Sequence, residues 1–354
     1  MTINETPDAG SGQVPPEPGG VRADQEWIVA DDGRRLALRV WAPADGSRAS
    51  AGGEPPAEGG SPSPRPRAVI QLVHGMGEHT ARYDAFARRA VAAGYAVVAD
   101  DHRGHGLTIA SPEESGHTAD ADGAERILAD LAQVRGWIAH AFPGLPVILM
   151  GHSWGSILAR VLAPRLGAGP GADPATAITG LILVGTAGSA GILAAIGPAL
   201  TRALCRARGP RRRQKLLDTL VQGPYSKPFA PTRTRYDWLS RDEAIVDAFV
   251  ADPLCGFDYT NAFYRDLVDL VRKASSRAVF ASTPVGLPIL LLSGGQDPVG
   301  AMGKGPRWVK QRYARAGVNP LGLRLYPGAR HEALNETNRD EVIGDVLEWI
   351  ARLV

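Results

Sequence analysis

The chain has 354 residues, a formal net charge of +2, 44% hydrophobic and 21% charged residues, which is the makeup of an ordinary globular protein with one large core or two unequal domains. So small a net charge excludes a nucleic-acid partner held by charge, and two cysteines, Cys205 and Cys255, exclude a disulfide framework. The N-terminus has no basic region followed by an apolar core, so no secretory signal is visible and a cytoplasmic location is expected.

Residues 1–24 are rich in Gly, Pro and acidic groups and are expected to form a disordered tail. Glu26 to Val29 and Arg35 to Trp41 read as a hairpin around Asp31-Asp32-Gly33. Residues 43–66, rich in Pro, Gly, Ser and Ala, read as a flexible insertion loop. Strands and helices then alternate, which predicts an α/β fold with a mostly parallel central sheet. Such a sheet places ligands at the carboxyl ends of its strands.

A strand over Val69 to Val73 leads into His74-Gly75-Met76-Gly77-Glu78-His79. Gly75 lets the backbone turn so that the Met76 N–H faces a developing oxyanion, with Glu78 and His79 bracing the loop. A second strand, Tyr95 to Ala99, leads into Asp101-His102-Arg103-Gly104-His105-Gly106, a turn whose charged residues tie neighbouring loops together. His74, His79, His102 and His105 lie on two loops in His-x4-His and His-x2-His spacing. Neither is a helix-borne His-Glu-x-x-His, so no catalytic metal is expected.

The strand-like run Val147 to Met150 ends in Gly151-His152-Ser153-Trp154-Gly155, and a helical pattern follows at once. This is the sequence form of a nucleophile elbow. Glycine two residues before and two after the serine lets strand and helix approach, and the sharp turn lifts the Ser153 hydroxyl clear of the backbone. The Trp154 N–H then sits at a helix N-terminus, where it can stabilise an oxyanion.

From Pro174 to Thr201 there is no charged residue, but Gly180, Gly185, Gly188, Gly191, Gly197 and Pro198 interrupt the stretch. A spanning helix needs about 20 predominantly apolar residues in one piece, so a strand over Gly180 to Val184 and a separate apolar helix are expected. The strand–helix alternation breaks from about Ser189 to Ser282, which reads as helices. Their apolar sets are Ile192, Leu193, Ile196, Leu200 and Leu204, then Ala244, Ile245, Ala248 and Phe249, then Phe263, Leu267, Leu270 and Val271. Arg206, Arg208, Arg211, Arg212, Arg213 and Lys215 put six positive charges in ten residues beside the first of these; most such runs are solvated faces, and the alternative reading is peripheral contact with an anionic membrane.

A serine hydroxyl needs a neighbouring base, and His331 alone among eight histidines lies downstream of Ser153. It follows a short strand and turn, Leu323 to Arg330. Elbow hydrolases run in the chain order Ser, acid, His. Between the two, the buried-strand pattern Ile289 to Leu292 ends in Ser293-Gly294-Gly295-Gln296-Asp297-Pro298, and Asp297 is placed to orient His331. Asp252 and Asp258 are rivals for that role, without a clear preceding strand.

The five loops His74–His79, Asp101–Gly106, Gly151–Ser156, Gly295–Pro298 and Gly328–Glu332, in this order, resemble those of the monoacylglycerol lipase and lysophospholipase group of α/β-hydrolases, also grouped with serine aminopeptidase-like hydrolases. The resemblance runs from about Gln25 to Val354. It implies a hydrolase core over 25–188 and 283–354 and a helical cap over 189–282. It implies nucleophile Ser153, acid Asp297, base His331 and oxyanion amides on Met76 and Trp154, with no cofactor. Leu193, Ile196 and Leu200 of the cap are expected to line an acyl pocket.

The function implied is hydrolysis of carboxylic esters, foremost monoacylglycerol or lysophospholipid-type lipids. Ser-Trp-Gly is also similar to the proline iminopeptidases, but those are expected to carry His-Gly-Gly-Pro-Gly where this chain has His-Gly-Met-Gly-Glu. A small-substrate carboxylesterase would confine turnover to short esters, and an aminopeptidase would prefer aminoacyl anilides. A cofactor-free haloperoxidase or carbon–carbon bond hydrolase would differ only in its products. A non-catalytic binding protein on the same fold would be expected to lack triad members, and all three are present.

Overall fold

The computed structural model describes residues 20–44, 65–169, 171–189 and 191–354, without the side chains of 192–194. Most of the expected tail and of the insertion loop therefore lies outside the described residues. Among the described residues eight strands form one sheet: β1 (Val21–Val29), β2 (Arg35–Pro43), β3 (Ala68–Val73), β4 (Tyr95–Asp100), β5 (Val147–His152), β6 (Gly180–Val184), β7 (Ile289–Gly294) and β8 (Leu321–Tyr326). Their order is β1-β2-β4-β3-β5-β6-β7-β8. The pairs β1/β2 and β2/β4 are antiparallel, and every pair from β4 to β8 is parallel.

Strand order reverses at β3, which lies between β4 and β5. The chain after β3 and the chain after β5 therefore leave the same edge of the sheet in opposite directions and open a crevice between them. The His74–His79 loop and Ser153 stand on its two sides.

Strands β3 to β7 are buried along their whole length and largely apolar because both faces are covered, whereas the edge strand β8 is only partly buried and carries Arg324. Ile148 and Met150 of β5 pack with Phe86 and Ala90 of α1 (Asp84–Ala92) and with Val346 and Ile350 of α10 (Arg339–Ala351). Leu149, on the other face, packs with Leu131 of α2 (Gly123–Ala141), Leu158 and Leu162 of α3 (Trp154–Leu166) and Val309 of α9 (Lys304–Arg315). Burying one such side chain stabilises the fold by about 1.5–3 kcal/mol.

Among the described residues, five α-helices lie between β6 and β7: α4 (Gly191–Arg208), α5 (Lys215–Ser226), α6 (Glu243–Ala251), α7 (Asn261–Ala274) and α8 (Arg277–Ser282). Asp242, Thr260 and Ser276 cap α6, α7 and α8 by accepting from the amides of Ala244, Phe263 and Val279. Helix α7 anchors the group, with Phe263, Leu270 and Ala274 buried in the core that holds α3. Among the described residues no helix is long and apolar enough to cross a membrane.

Two expectations are corrected. Strand β1 begins at Val21, so 21–24 belong to the sheet and not to a disordered tail. These residues pair in register with Val40 to Pro43 of β2, and Val21 is buried with Trp41; polar composition concealed an edge strand with one wet face. Ile196 and Leu200 do not face a pocket: they are 56% and 45% exposed. Helix α4 turns Gly197, Pro198 and Thr201 inward, and a Cβ at Gly197 would press on Val268 of α7. Small residues allowed the two helices to approach, and the apolar stripe was left outside. The Leu193 side chain lies outside the described residues.

Candidate active site

Ser153 sits between β5 and α3 with φ 54° and ψ −120°, a conformation that costs a non-glycine residue about 1–3 kcal/mol. The elbow holds it there by close backbone approach. A Cβ at Gly155 would collide with the carbonyls of Val73 and His74, and one at Gly151 with the Gly155 carbonyl. The Ser153 amide donates to the Val184 carbonyl of β6 at 2.9 Å, so the turn is pinned to the sheet.

The structure brings Ser153, His331 and Asp297 together. His331 Nε2 lies 2.8 Å from Ser153 Oγ, and His331 Nδ1 lies 2.9 Å from Asp297 Oδ1. The tautomer that satisfies both contacts donates from Nδ1 to the carboxylate and accepts from the serine hydroxyl. Asp297 is fully buried, and its remaining acceptor capacity is met by the Val299 amide at 2.9 Å and the Ser293 hydroxyl at 3.2 Å. Asp252 and Asp258 are elsewhere: Asp252 pairs with His79, and the Asp258 carbonyl accepts from Arg213.

Met76 and Trp154 both border the cavity over Ser153. Trp154 is the first residue of α3, where an amide has no intrahelical acceptor. The preceding loop is pressed onto the elbow: a Cβ at Gly75 would stand 3.2 Å from the Ser153 Cβ.

A buried polar network behind the loop fixes its shape. Glu78 Oε1 accepts from the Gly75 amide and the Tyr83 hydroxyl, both at 2.6 Å, and lies 3.1 Å from His152 Nδ1. Arg82 bridges Glu78 and Glu332 through bonds of 2.7 Å. Burial opposes the charge on Glu78, but the hydrogen bond and charge of His152, with Arg82, hold its carboxyl well below the usual carboxylate range. His152 is correspondingly raised: burial opposes its charge, and the hydrogen bond and charge of Glu78 overcome it. Sequence reasoning found Glu78 as a brace and missed His152, Arg82, Tyr83 and Glu332; Arg82 and Tyr83 stand four and five residues after Glu78, but no local spacing links them to His152 or Glu332. His79 reaches outward instead, to Asp252 in the turn after α6, at 2.8 Å.

His74, His102 and His105 serve as struts. The His102 amide donates to His74 Nε2 at 3.0 Å, the His74 and His102 rings stack at 3.8 Å, and His102 Nδ1 lies 2.8 Å from Asp100 Oδ2. Burial pushes His105 down to about 3 and His74 well below the usual imidazole range, so both rings are neutral.

The cavity over Ser153 has a volume of about 290 Å³. Its outer wall is apolar and comes from Val221 and Tyr225 of α5, Phe249 of α6, and Leu267, Val268 and Val271 of α7. Leu267 and Val271 belong to the third apolar set of the sequence; only their shared direction into a pocket was not readable there.

The basic run is partly consumed by internal contacts. Arg211 pairs with Asp120 at 2.9 Å, Arg208 donates to Gln214 at 2.9 Å, and Arg213 donates to the Glu113 carbonyl at 2.8 Å. Arg206, Arg212 and Lys215 are exposed.

The chain matches the family model described as serine aminopeptidase, S33, over residues 64–338. It is 30% identical to a monoacylglycerol lipase of Mycolicibacterium smegmatis, over 82% of this chain and 90% of that protein. It is 27% identical to the monoglyceride lipase of Rattus norvegicus, over 94% of this chain and 91% of that one. Its fold is similar to that of a thermostable carboxyl esterase from Bacillus coagulans solved with glycerol, with a TM-score of 0.81, 26% identity, and coverage of 94% and 98%.

Proposed function

Because the chain belongs to the serine aminopeptidase S33 family of α/β-hydrolases, we propose that it hydrolyses the carboxylic esters of monoacylglycerols or lysophospholipids through an acyl-enzyme on Ser153. The observation that carries this reading is the apolar cavity that opens directly onto the Ser153–His331–Asp297 chain of hydrogen bonds. Its apolar wall suits an acyl chain, and the hydroxyl faces the position of the ester carbonyl at one end.

His331 Nε2 takes the Ser153 proton as Oγ attacks the carbonyl carbon. The Met76 and Trp154 amides receive the oxyanion, each contributing on the order of 3 kcal/mol in the transition state. Asp297 stabilises the imidazolium through Nδ1, and Nε2–H then protonates the leaving alcohol. Water, deprotonated by His331, repeats the attack on the acyl-enzyme and releases the acid.

The test is a p-nitrophenyl ester series from acetyl to palmitoyl beside monoacylglycerol and lysophosphatidylcholine. Turnover that rises with chain length supports the reading. Turnover confined to acetyl, or exceeded by aminoacyl anilides, would replace it. Within the series, Val271→Trp is expected to shift the preference to shorter chains, because it fills the cavity wall, whereas Ile196→Trp on the exposed face of α4 leaves the preference unchanged. Equal profiles for the two variants would place the acyl chain elsewhere.

We infer that Arg206, Arg212 and Lys215, beside exposed Ile196, Leu200, Leu216 and Leu220, hold the enzyme at anionic lipid surfaces. Each charge contributes about 1 kcal/mol near such a surface. Sedimentation with phosphatidylglycerol vesicles is expected to fall sharply in the triple alanine variant. Equal sedimentation with neutral vesicles would remove the charge-based contact.

A further inference from the structure

Three residues far apart in sequence meet where the cap touches the oxyanion loop. The donor atoms of His79, Asp252 and Cys255 all lie within 4.8 Å of one another. His79 ends the loop that carries Met76, and Asp252 and Cys255 belong to the turn that follows α6. That turn is closed by the Cys255 amide donating to the Asp252 carbonyl at 3.0 Å. The Leu254 amide occupies Asp252 Oδ1 at 2.8 Å, which leaves Oδ2 directed at His79 Nε2, also at 2.8 Å. Next to it the Gly256 amide donates to the Gly77 carbonyl at 2.9 Å. Turn and loop are thus already in register, and the three side chains are held on one side.

The geometry points to a binding site for a thiophilic divalent cation, of the zinc type, formed by His79, Asp252 and Cys255 and fastening the cap to the oxyanion loop. Imidazole, carboxylate and thiolate are the ligand types that zinc takes, at about 2.0–2.3 Å. Tetrahedral bonds of that length put neighbouring donors about 3.3–3.6 Å apart. The His79–Asp252 contact need open by only about 0.5 Å to admit the ion, and small side-chain rotations bring in Cys255. Magnesium and calcium, which prefer oxygen donors, are disfavoured by the nitrogen and the sulfur.

Burial, the largest effect, holds the Cys255 thiol well above its usual range, so an ion must displace the thiol proton. Arg82, Asp252, Glu78 and Glu332 also act on Cys255, with Arg82 shared between Glu78 and Glu332. Binding forms a sulfur–metal bond, and the thiol proton leaves to solvent. Three protein ligands leave a fourth position for water. His79 is one residue from Glu78, and Gly256 one from Cys255; Glu78 and Gly256 both line the catalytic cavity. A bound ion therefore restrains two segments that border the cavity without taking part in chemistry.

The inference is tested by binding, so it stands apart from the substrate reading. The full chain is stripped with a chelator, and Zn²⁺ is titrated by calorimetry and by thermal unfolding. Co²⁺ is used in parallel for its thiolate charge-transfer absorption. One ion per chain is expected, with the unfolding midpoint raised by about 5 °C at a hundredfold excess over Kd. Cys255→Ser and Cys255→Ala are expected to abolish the cobalt–thiolate band, and His79→Gln and Asp252→Asn to weaken binding by about a hundredfold. The chelated variants report folding by their own midpoints. Ser153→Ala and His331→Gln are expected to bind the ion as the parent does, which separates this site from metal trapped on the catalytic imidazole. Absence of saturable binding, or binding undiminished in the Cys255 and His79 variants, overturns the proposal.

Discussion

Ser153→Ala is expected to reduce kcat/KM for a p-nitrophenyl ester by roughly 10⁴–10⁶-fold while leaving the unfolding midpoint within about 2 °C of the parent. The loss is large because Ser153 Oγ, the proposed nucleophile, lies 2.8 Å from Nε2 of His331, the proposed base. Stability is spared because the change removes one partly exposed oxygen atom. His331 keeps its bond to Asp297, so no buried charge is orphaned. The alanine inherits the same φ of 54° that serine tolerates. A pure sample that retains more than about one hundredth of parental activity would assign attack to another group.

Asp297→Ala is expected to cost about 10⁴-fold in kcat. It removes both the acceptor that keeps the proton on His331 Nδ1 and the charge that stabilises the imidazolium. Asp252→Ala and Asp258→Ala are expected to lose no more than about tenfold, since neither carboxylate reaches the base. Comparable losses in all three variants would show a general disturbance and not the removal of an acid partner. Asp297→Asn separates the two contributions. The Val299 amide requires an acceptor at the Oδ1 position, so the asparagine carbonyl keeps facing His331. The tautomer is then preserved and only the charge is lost, which is expected to leave a smaller deficit than alanine.

The parts of the site that were legible in the sequence are those whose geometry is local. The elbow announces itself because Gly151 and Gly155 are sterically obligatory beside Ser153: each would drive a Cβ into backbone. Asp297 and His331 were legible for another reason. Each stands on the loop that closes a short apolar strand, and parallel strands deliver such loops to one edge of a sheet. The core was legible through the continuous apolar runs that two-sided burial requires.

What depended on tertiary approach was not legible. The stripe Ile196–Leu200 has the period of an inward face, yet the small residues Gly197 and Thr201 took that place against α7. Phe249 and Val271 are in the apolar sets, but their convergence over Ser153 is set by how α6 and α7 dock. The Glu78–His152–Tyr83–Arg82–Glu332 network and the His79–Asp252–Cys255 cluster join positions separated by up to 254 and 176 residues, which no spacing rule connects.

The measurement that bears most directly on the account is intact-mass spectrometry of the protein after treatment with a fluorophosphonate, followed by peptide mapping. One adduct per chain is expected, on Ser153, and none in Ser153→Ala. An adduct on any other residue, or labelling that persists in the alanine variant, would contradict the assignment of Ser153 as the nucleophile.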